Sequence, residues 1–485
     1  MQTITLAMSV DDIIGKVQDA VWGWPLIILI LAAGVWLTVR TGFVQVLHLG
    51  KALKFMVKNE DNGEGEVTSF GALCTALSAT IGTGNIVGVA TAICLGGPGA
   101  LLWMLLAAFF GMATKYSEGF LAIKYREKKD DSHYLGGPFY YIEKGMGSKW
   151  KWLAKLFAVF GICVGLFGIG TFTQINGIAT AVQDFFDPES AHVAFTLFGN
   201  DYTWATVIGG LVVTLCVALV VLGGIQRIAK VSEVIVPFMA ITYVVFALII
   251  VLGHITAIPA AVKLICQSAF DPQAALGAAT GVTIKLAMQK GIGRGIFSNE
   301  AGLGSAPIAA AKTKDTVRQG LVTMTGTFID TIVICTLTGL SIVVTGAQNA
   351  FVAGSVEGVK ITSRAWQTGL PWNGRFSAFV LMVCLAFFAF TTILGWNYYS
   401  ERCLEYLVGS QKFTKVYRYV YILAVFIGPY LTVAAVWNIA DICNGLMAFP
   451  NLIALFALSG VVGKETRAYF AEKRHDLKAM AQDKK

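Results

Sequence analysis

The stretch Leu77 to Ile93, LSATIGTGNIVGVATAI, is apolar enough to lie in a membrane, yet Gly82, Gly84 and Gly88 fall in its middle beside Thr80, Thr83 and Asn85. Glycine inside a helix costs roughly 1 kcal/mol relative to alanine, so three close together make local unwinding cheap. Unwound backbone at membrane depth is tolerated only where it lines a cavity or is buried in protein. Its freed N–H groups can hold an anion and its freed carbonyls a cation, and the half-helix that follows points its positive end at the site. Close helix packing through small residues is the competing reading of the same glycines.

A second stretch, Leu286 to Pro307, repeats the pattern: Gly291, Gly293 and Gly295 interrupt an apolar run, with Glu300, Gly302, Gly304 and Pro307 after them. The expectation is a second break of the same kind through Gly291–Phe297. Two further segments carry polar atoms at membrane depth. GIGTFTQINGIATAV holds Thr171, Thr173, Gln174 and Asn176; such groups face the interior, either as part of a site or as links between helices. FFAFTTILGWNYYSE holds Thr391, Thr392, Trp396 and Asn397. Two hydroxyls beside freed carbonyls would give the oxygen-only shell a hard cation prefers, unless the threonines bond back to their own helix.

Charges inside the apolar runs are rare: Lys115, Glu118, Lys285, Lys290, Arg294, Glu300 and Asp330. Lys115 and Glu118, spaced i,i+3, read as a local pair. Arg294 and Glu300 flank the second stretch as a possible gate, with Asp330 to complement them.

These residues need elements to hold them. The chain has 485 residues, 56% hydrophobic and 14% charged, with a mean hydropathy of +0.67; soluble proteins carry about 25% charged residues. Repeated apolar runs of about 20 residues predict an all-α polytopic membrane protein, without the alternation of a β-barrel. Eleven spans are expected: Trp24–Val44, Thr68–Leu95, Gly99–Tyr125, Trp152–Phe185, Thr203–Leu222, Val231–Gly253, Gln273–Ala311, Gly320–Thr345, Phe376–Tyr399, Tyr417–Ile439 and Ile442–Gly463. With the N-terminus outside and the C-terminus cytoplasmic, inner segments hold 26 Lys and Arg and outer ones 5, the bias that sets orientation. The net charge of +8 is then topogenic rather than a nucleic-acid footprint. The N-terminal segment lacks a basic leader, so no cleaved signal peptide is expected. The nine cysteines mostly lie in apolar runs and read as small core- or lipid-facing residues.

Setting the first span aside leaves five plus five, with a break in the first member of each half. Five is odd, so the halves are inverted, the layout of a secondary transporter that binds at the midplane. The expected division is residues 1–67 (N-terminal segment, extra span and cytoplasmic loop), 68–253 and 254–463 (the two five-helix repeats) and a cytoplasmic tail, 464–485. GTGNIVG lacks the βαβ context of a dinucleotide site and no P-loop occurs, so neither nucleotide nor nucleic acid is an expected partner. No metal set, nucleophile elbow or paired carboxylates suggest an enzyme. A channel would instead need rings of carbonyls or charges.

The stretches GTGNIVGVATAI, GGPGALLWM, GGPFYYIEKG, RGIFSNEAGLGSAPIAAA and FAFTTILGWNYYSER resemble the alanine/glycine:cation symporter family, also called sodium:alanine symporters. The resemblance implies a leucine-transporter-like 5+5 inverted repeat with one extra N-terminal helix, in the cell membrane. It implies sodium-coupled uptake of alanine or glycine by alternating access, with proton coupling or glutamine as the main substrate as the alternative. By the same resemblance the substrate carboxylate meets amides near Thr83 and Gly84, beside Asn85. Its amino group meets carbonyls around Gly291, Gly293, Gly295 and Phe297 with help from Gln174. Trp396 and Phe297 bound the side-chain pocket, and Thr392 adjoins it. Sodium sits among the carbonyls of Ser78, Ile81 and Phe388 and the hydroxyls of Thr391 and Thr392.

Overall fold

A computed structural model describes residues 10–57, 69–130, 133–197, 200–272, 282–305, 313–350 and 358–482. It is built of helices. An amphipathic helix, α1 (Val10–Val21), leads through Gly23 and Pro25 into α2 (Trp24–Arg40), proline being accommodated in a first turn where its missing N–H costs nothing. The second apolar run is α3 (Ser69–Thr80), a gap at Ile81–Thr83, a π-helical turn (Gly84–Gly88) and α4 (Val89–Gly96), with a bend of 43° between the halves. Next come α5 (Ala100–Lys124), a small hairpin of β1 (Glu127–Asp130) and β2 (His133–Leu135), and a π-turn at Tyr141–Gly145. The fourth run is itself split into α6 (Lys151–Phe167) and α7 (Phe172–Phe186), an interruption at Gly168–Thr171 that the apolar pattern hides. A second hairpin, β3 (Val193–Leu197) and β4 (Asn200–Thr203), leads to α8 (Trp204–Val221) and α9 (Gly224–Gly253).

The second half begins with α10 (Ile258–Phe270) and α11 (Ile284–Asn299), then α12 (Thr316–Thr327), a π-helical segment (Phe328–Cys335) and α13 (Thr336–Val344). It closes with α14 (Gly358–Gly369), α15 (Gly374–Val408), α16 (Thr414–Ile427) and α17 (Val433–Gln482). Side-chain caps set several starts: Thr283 accepts from Leu286 N, Asp315 from Arg318 N and Asn373 from Arg375 N, each satisfying an amide that the first turn leaves open.

Among the described residues, eight helices are long and apolar enough to cross a membrane, or nine when the bent pair counts as one. Of the eleven expected spans, the seventh and the tenth fall on α11, of 16 residues, and α16, of 14, which are not among these eight or nine. The residues on which the seventh span was expected to begin and end lie outside the described set. The boundary between the last two spans also moves. Helix α17 runs without interruption through Ile439–Ile442, and the turn comes earlier, at Gly428–Tyr430. Gly428 and Pro429 end the preceding helix, while Asp441, which falls between the bounds expected for the tenth and eleventh spans, is 5% exposed. On the outer faces, Leu219 and Val234 are 69% and 72% exposed, a surface suited to lipid rather than water.

Candidate functional site

The first break lies where the sequence places it. Two of the N–H groups freed by unwinding have side-chain acceptors: Gly82 N donates to Asn85 Oδ1 (2.9 Å) and Thr83 N to Gln174 Oε1 (3.0 Å). Gln174 Nε2 in turn donates to Ile169 O at 2.9 Å, so the amide braces the gap in the second run against the gap in the fourth. A Cβ on Gly82 would stand 2.5 Å from Thr392 Oγ1 and 2.9 Å from Gln174 Oε1. Glycine is therefore needed here for close approach as well as for loosening the helix.

The second break is not where it was expected. Helix α11 is continuous through Gly291, Gly293, Gly295 and Phe297 and ends at Asn299. A Cβ on Gly291 would come within 2.2 Å of Ala100 O, and one on Gly295 within 3.1 Å of Met104 Cγ. These two glycines, one helical turn apart, are the small residues that let α11 lie against α5, the alternative weighed for the first stretch and realised in the second. The actual break follows at Glu300, whose φ of +56° puts it in the left-handed region, with Gly302 and Gly304 at +93° and +75°. A left-handed non-glycine residue costs roughly 1–2 kcal/mol. It is held by its own carboxylate, which accepts from Trp396 Nε1 at 2.7 Å and from Ser305 Oγ. Pro307 lies outside the described residues.

The two breaks meet. A Cβ on Gly84 would stand 3.0 Å from Ser298 Cα and 3.2 Å from Phe297 Cδ1. The N-terminal end of the Gly84–Gly96 half-helix thus faces the C-terminal end of α11. One end carries partial positive charge and unused N–H groups, the other partial negative charge and unused carbonyls. Thr83 Oγ1, beside them, is buried without a hydrogen-bond partner among the described residues.

Beside this junction four oxygens converge. Thr392 Oγ1 lies 3.0 Å from Ser78 O, 3.1 Å from Ile81 O and 3.0 Å from Phe388 O. A hydroxyl has one proton, so three carbonyl oxygens crowd a single donor. Thr391 is turned away: its hydroxyl bonds back to Phe387 O and Phe388 O at 3.0 Å and touches Met239 Sδ at 3.5 Å. Among the described residues no group of three or more His, Cys, Asp or Glu forms a metal cluster.

The charged residues sort differently from expectation. Arg294 pairs with Asp441 of α17 in a fork, at 2.9 and 3.0 Å, and its guanidinium lies 4.5 Å from the Trp437 ring and 5.7 Å from Phe297. The Arg294–Glu300 gate pair is therefore not formed. Phe297 packs on Trp437 at 4.8 Å, whereas Trp396 reaches Glu300, so the two rings expected to share a pocket serve different partners. Asp330, on the π-helical segment, accepts from Asn85 Nδ2 (2.6 Å), Ser298 Oγ (2.9 Å) and Thr331 Oγ1 (2.7 Å), joining both breaks. Glu118 accepts from Gly302 N, Gly304 N and Asn451 Nδ2 at 3.0, 3.1 and 2.7 Å, and Lys115 lies 4.0 Å from Glu300. Ser298, Asp441 and Trp437 were missed. Ser298 and Trp437 carry no local sequence signal, but an aspartate between two apolar runs could have drawn notice as an intramembrane acid. On the α4 side of the first break, a cavity of about 250 Å³ is lined by Val87, Asn176, Gly177, Thr180, Val359 and Trp437.

Comparison with known proteins fits this arrangement. The family model described as the sodium:alanine symporter family matches residues 7–484. An uncharacterized transporter of Haemophilus influenzae is 52% identical, over 96% of this chain and 97% of its own. The sodium/alanine symporter AgcS of Methanococcus maripaludis is 44% identical, over 97% of this chain and 100% of its own. A crystal structure of MhsT in complex with L-phenylalanine has the same fold at 12% identity, with a TM-score of 0.52 over 84% of this chain and 99% of that one. The chain is thus a multi-pass membrane transporter, not an enzyme, and it belongs to the sodium:alanine symporter family.

Proposed function

We propose that the protein carries a small neutral amino acid, alanine or glycine, together with sodium across the cell membrane by alternating access. The observation that carries this reading is the meeting of two oppositely polarised helix ends at Gly84 and Ser298, next to an oxygen cluster with too few protons. A zwitterion fits the first feature: its carboxylate toward the Gly84 amide and the half-helix that begins there, its ammonium toward the carbonyls at Phe297–Asn299. Sodium fits the second, held by Ser78 O, Ile81 O, Phe388 O and Thr392 Oγ1, all neutral oxygens of the kind a hard monovalent ion accepts. Gln174, already engaged on both amide atoms, braces the site rather than contacting the ammonium. Thr83 contributes its unpartnered hydroxyl. A substrate no larger than alanine suits a site where Gly84 and Ser298 nearly touch.

The ion and the zwitterion share one unwound segment, so each raises the other's affinity by the same factor. Inward movement of one charge gains about 2.3 kcal/mol per 100 mV of membrane potential. With the N-terminus outside and eleven crossings in a 1+5+5 arrangement, as the Lys and Arg distribution favours, the 250 Å³ cavity is the external approach to the site. The test is uptake of labelled alanine, glycine and glutamine into proteoliposomes under a sodium, lithium or pH gradient. Saturable alanine uptake driven by sodium is expected. Uptake indifferent to sodium would overturn this reading.

A further inference from the structure

Two helices must part for a substrate to travel from the 250 Å³ cavity to the junction. Trp437 of α17 lines the cavity, and Phe297 of α11 stands at the junction, where a Cβ on Gly84 would lie 3.2 Å from its ring. The two rings pack at 4.8 Å, and the Arg294 guanidinium lies over both. Asp441 holds Arg294 there through the fork already described. Passage therefore depends on what fixes Asp441.

Asp441 is fixed from the N-terminal segment, ahead of the two expected five-helix repeats. Gln18, on the amphipathic α1, donates from Nε2 to Asp441 Oδ2 at 3.3 Å. Trp22, in the elbow between α1 and α2, donates from Nε1 to the Asp441 backbone oxygen at 2.7 Å. Both side chains are buried. Trp22 also reaches the other helix. Its carbonyl accepts from Gln289 Nε2 at 3.2 Å, and its ring lies 3.8 Å from where a Cβ on Gly293 would stand. One residue is thus bonded to α17 and to α11 at once. Helix α17 makes room for it: a Cβ on Gly445, one turn past Asp441, would come within 2.4 Å of Val21 Cγ1 and 3.3 Å of Trp22 Nε1. Van der Waals packing alone can dock a peripheral helix against a membrane bundle. Here an amide and an indole N–H are buried as well, at a desolvation cost, and both are directed at the residue that holds Arg294.

We infer that Trp22 and Gln18 are positioning residues for transport: the N-terminal segment latches α11 to α17 through Asp441 and sets how readily the outer side opens. The inference rests on the symport reading above and on its orientation. Weakening the latch has two opposed effects. The open form becomes more populated, and a ligand that binds it appears tighter by that change in population. Closure over the bound ligand no longer regains the lost bonds and becomes harder. The test uses the full chain in proteoliposomes, with uptake of labelled alanine under a sodium gradient expressed per folded molecule. Trp22→Phe keeps a ring against Gly293 and removes the N–H; Gln18→Leu removes the amide at similar volume. Each is expected to lower both the KM for alanine and kcat by about two- to tenfold, the effect of one buried hydrogen bond. A purely structural role would reduce the yield of folded protein and leave both constants per molecule unchanged. Where Trp22→Phe does not fold, Gln18→Leu, which removes the longer of the two bonds, decides alone. Unchanged constants, or kcat lowered with KM unchanged or raised, overturn the latch and leave the symport reading standing. No sodium-driven uptake by the unaltered protein overturns both.

Discussion

Asn85 donates through its side-chain amide to Asp330 at two points, Oδ1 at 2.6 Å and the backbone oxygen at 3.1 Å, while its own oxygen accepts from Gly82 N. One side chain thereby closes the first break locally and ties it to a π-helical segment far away in sequence.

Asn85→Ala should abolish uptake. Truncation leaves the Gly82 amide and part of the Asp330 carboxylate without partners, each costing about 1–3 kcal/mol when buried. Labelled alanine uptake together with thermal unfolding of the purified protein would check it. Full transport with unchanged stability would show that the link is dispensable.

Thr392→Ala should raise the sodium concentration for half-maximal uptake by roughly 10–100-fold, the effect of losing about 1.5–3 kcal/mol at a charged ligand. Thr391→Ala should change it by less than about threefold, because that hydroxyl bonds back to its own helix. Sodium titration of alanine uptake separates the two; equal effects would place both hydroxyls on the ion.

The α11 glycines should split by packing. Gly291→Ala drives a methyl toward Ala100 O, 2.2 Å away, and overpacking of this kind costs roughly 1–3 kcal/mol. A Cβ on Gly293 would meet only the Trp22 ring at 3.8 Å, so Gly293→Ala should hold or raise stability through better helix propensity, by up to about 1 kcal/mol. Thermal unfolding in detergent reads both. Loss of transport in a stable Gly293→Ala protein would mean that α11 unwinds there during the cycle.

Asp441→Asn should be strongly destabilising, by about 3–5 kcal/mol, since it leaves the Arg294 guanidinium buried and unmatched. Replacing both partners with apolar residues, Arg294→Met with Asp441→Leu, should restore much of that stability. A double variant as unstable as Asp441→Asn would show that the pair contributes more than mutual neutralisation.

The first break could be read because three glycines and two threonines crowd around one asparagine, and there the close approach of Gly82 and the unwinding fall at the same place. The second was misplaced because glycine is ambiguous: Gly291 and Gly295 serve contact with α5, whereas Glu300, Gly302 and Gly304 carry the turn. The gap at Gly168–Thr171 was passed over, since apolar residues run on through both of its flanks. Pairings such as Arg294 with Asp441 are products of tertiary arrangement, and spacing along the chain holds no trace of them. The convergence of Ser78, Ile81 and Phe388 on Thr392 was foreseen through family resemblance rather than from the residues by themselves.

Helix α17 has 50 residues, about 75 Å at 1.5 Å per residue, more than twice the roughly 30 Å of a bilayer's hydrocarbon. Near one end it holds Asp441, and farther along Thr466 meets Tyr116 and Glu465 meets Lys124. A rod of this length overhangs the hydrocarbon by more than its thickness. Pro450, where the ladder lacks a rung, divides it between the arginine clamp beside the junction and the contacts with α5 at Thr466 and Glu465.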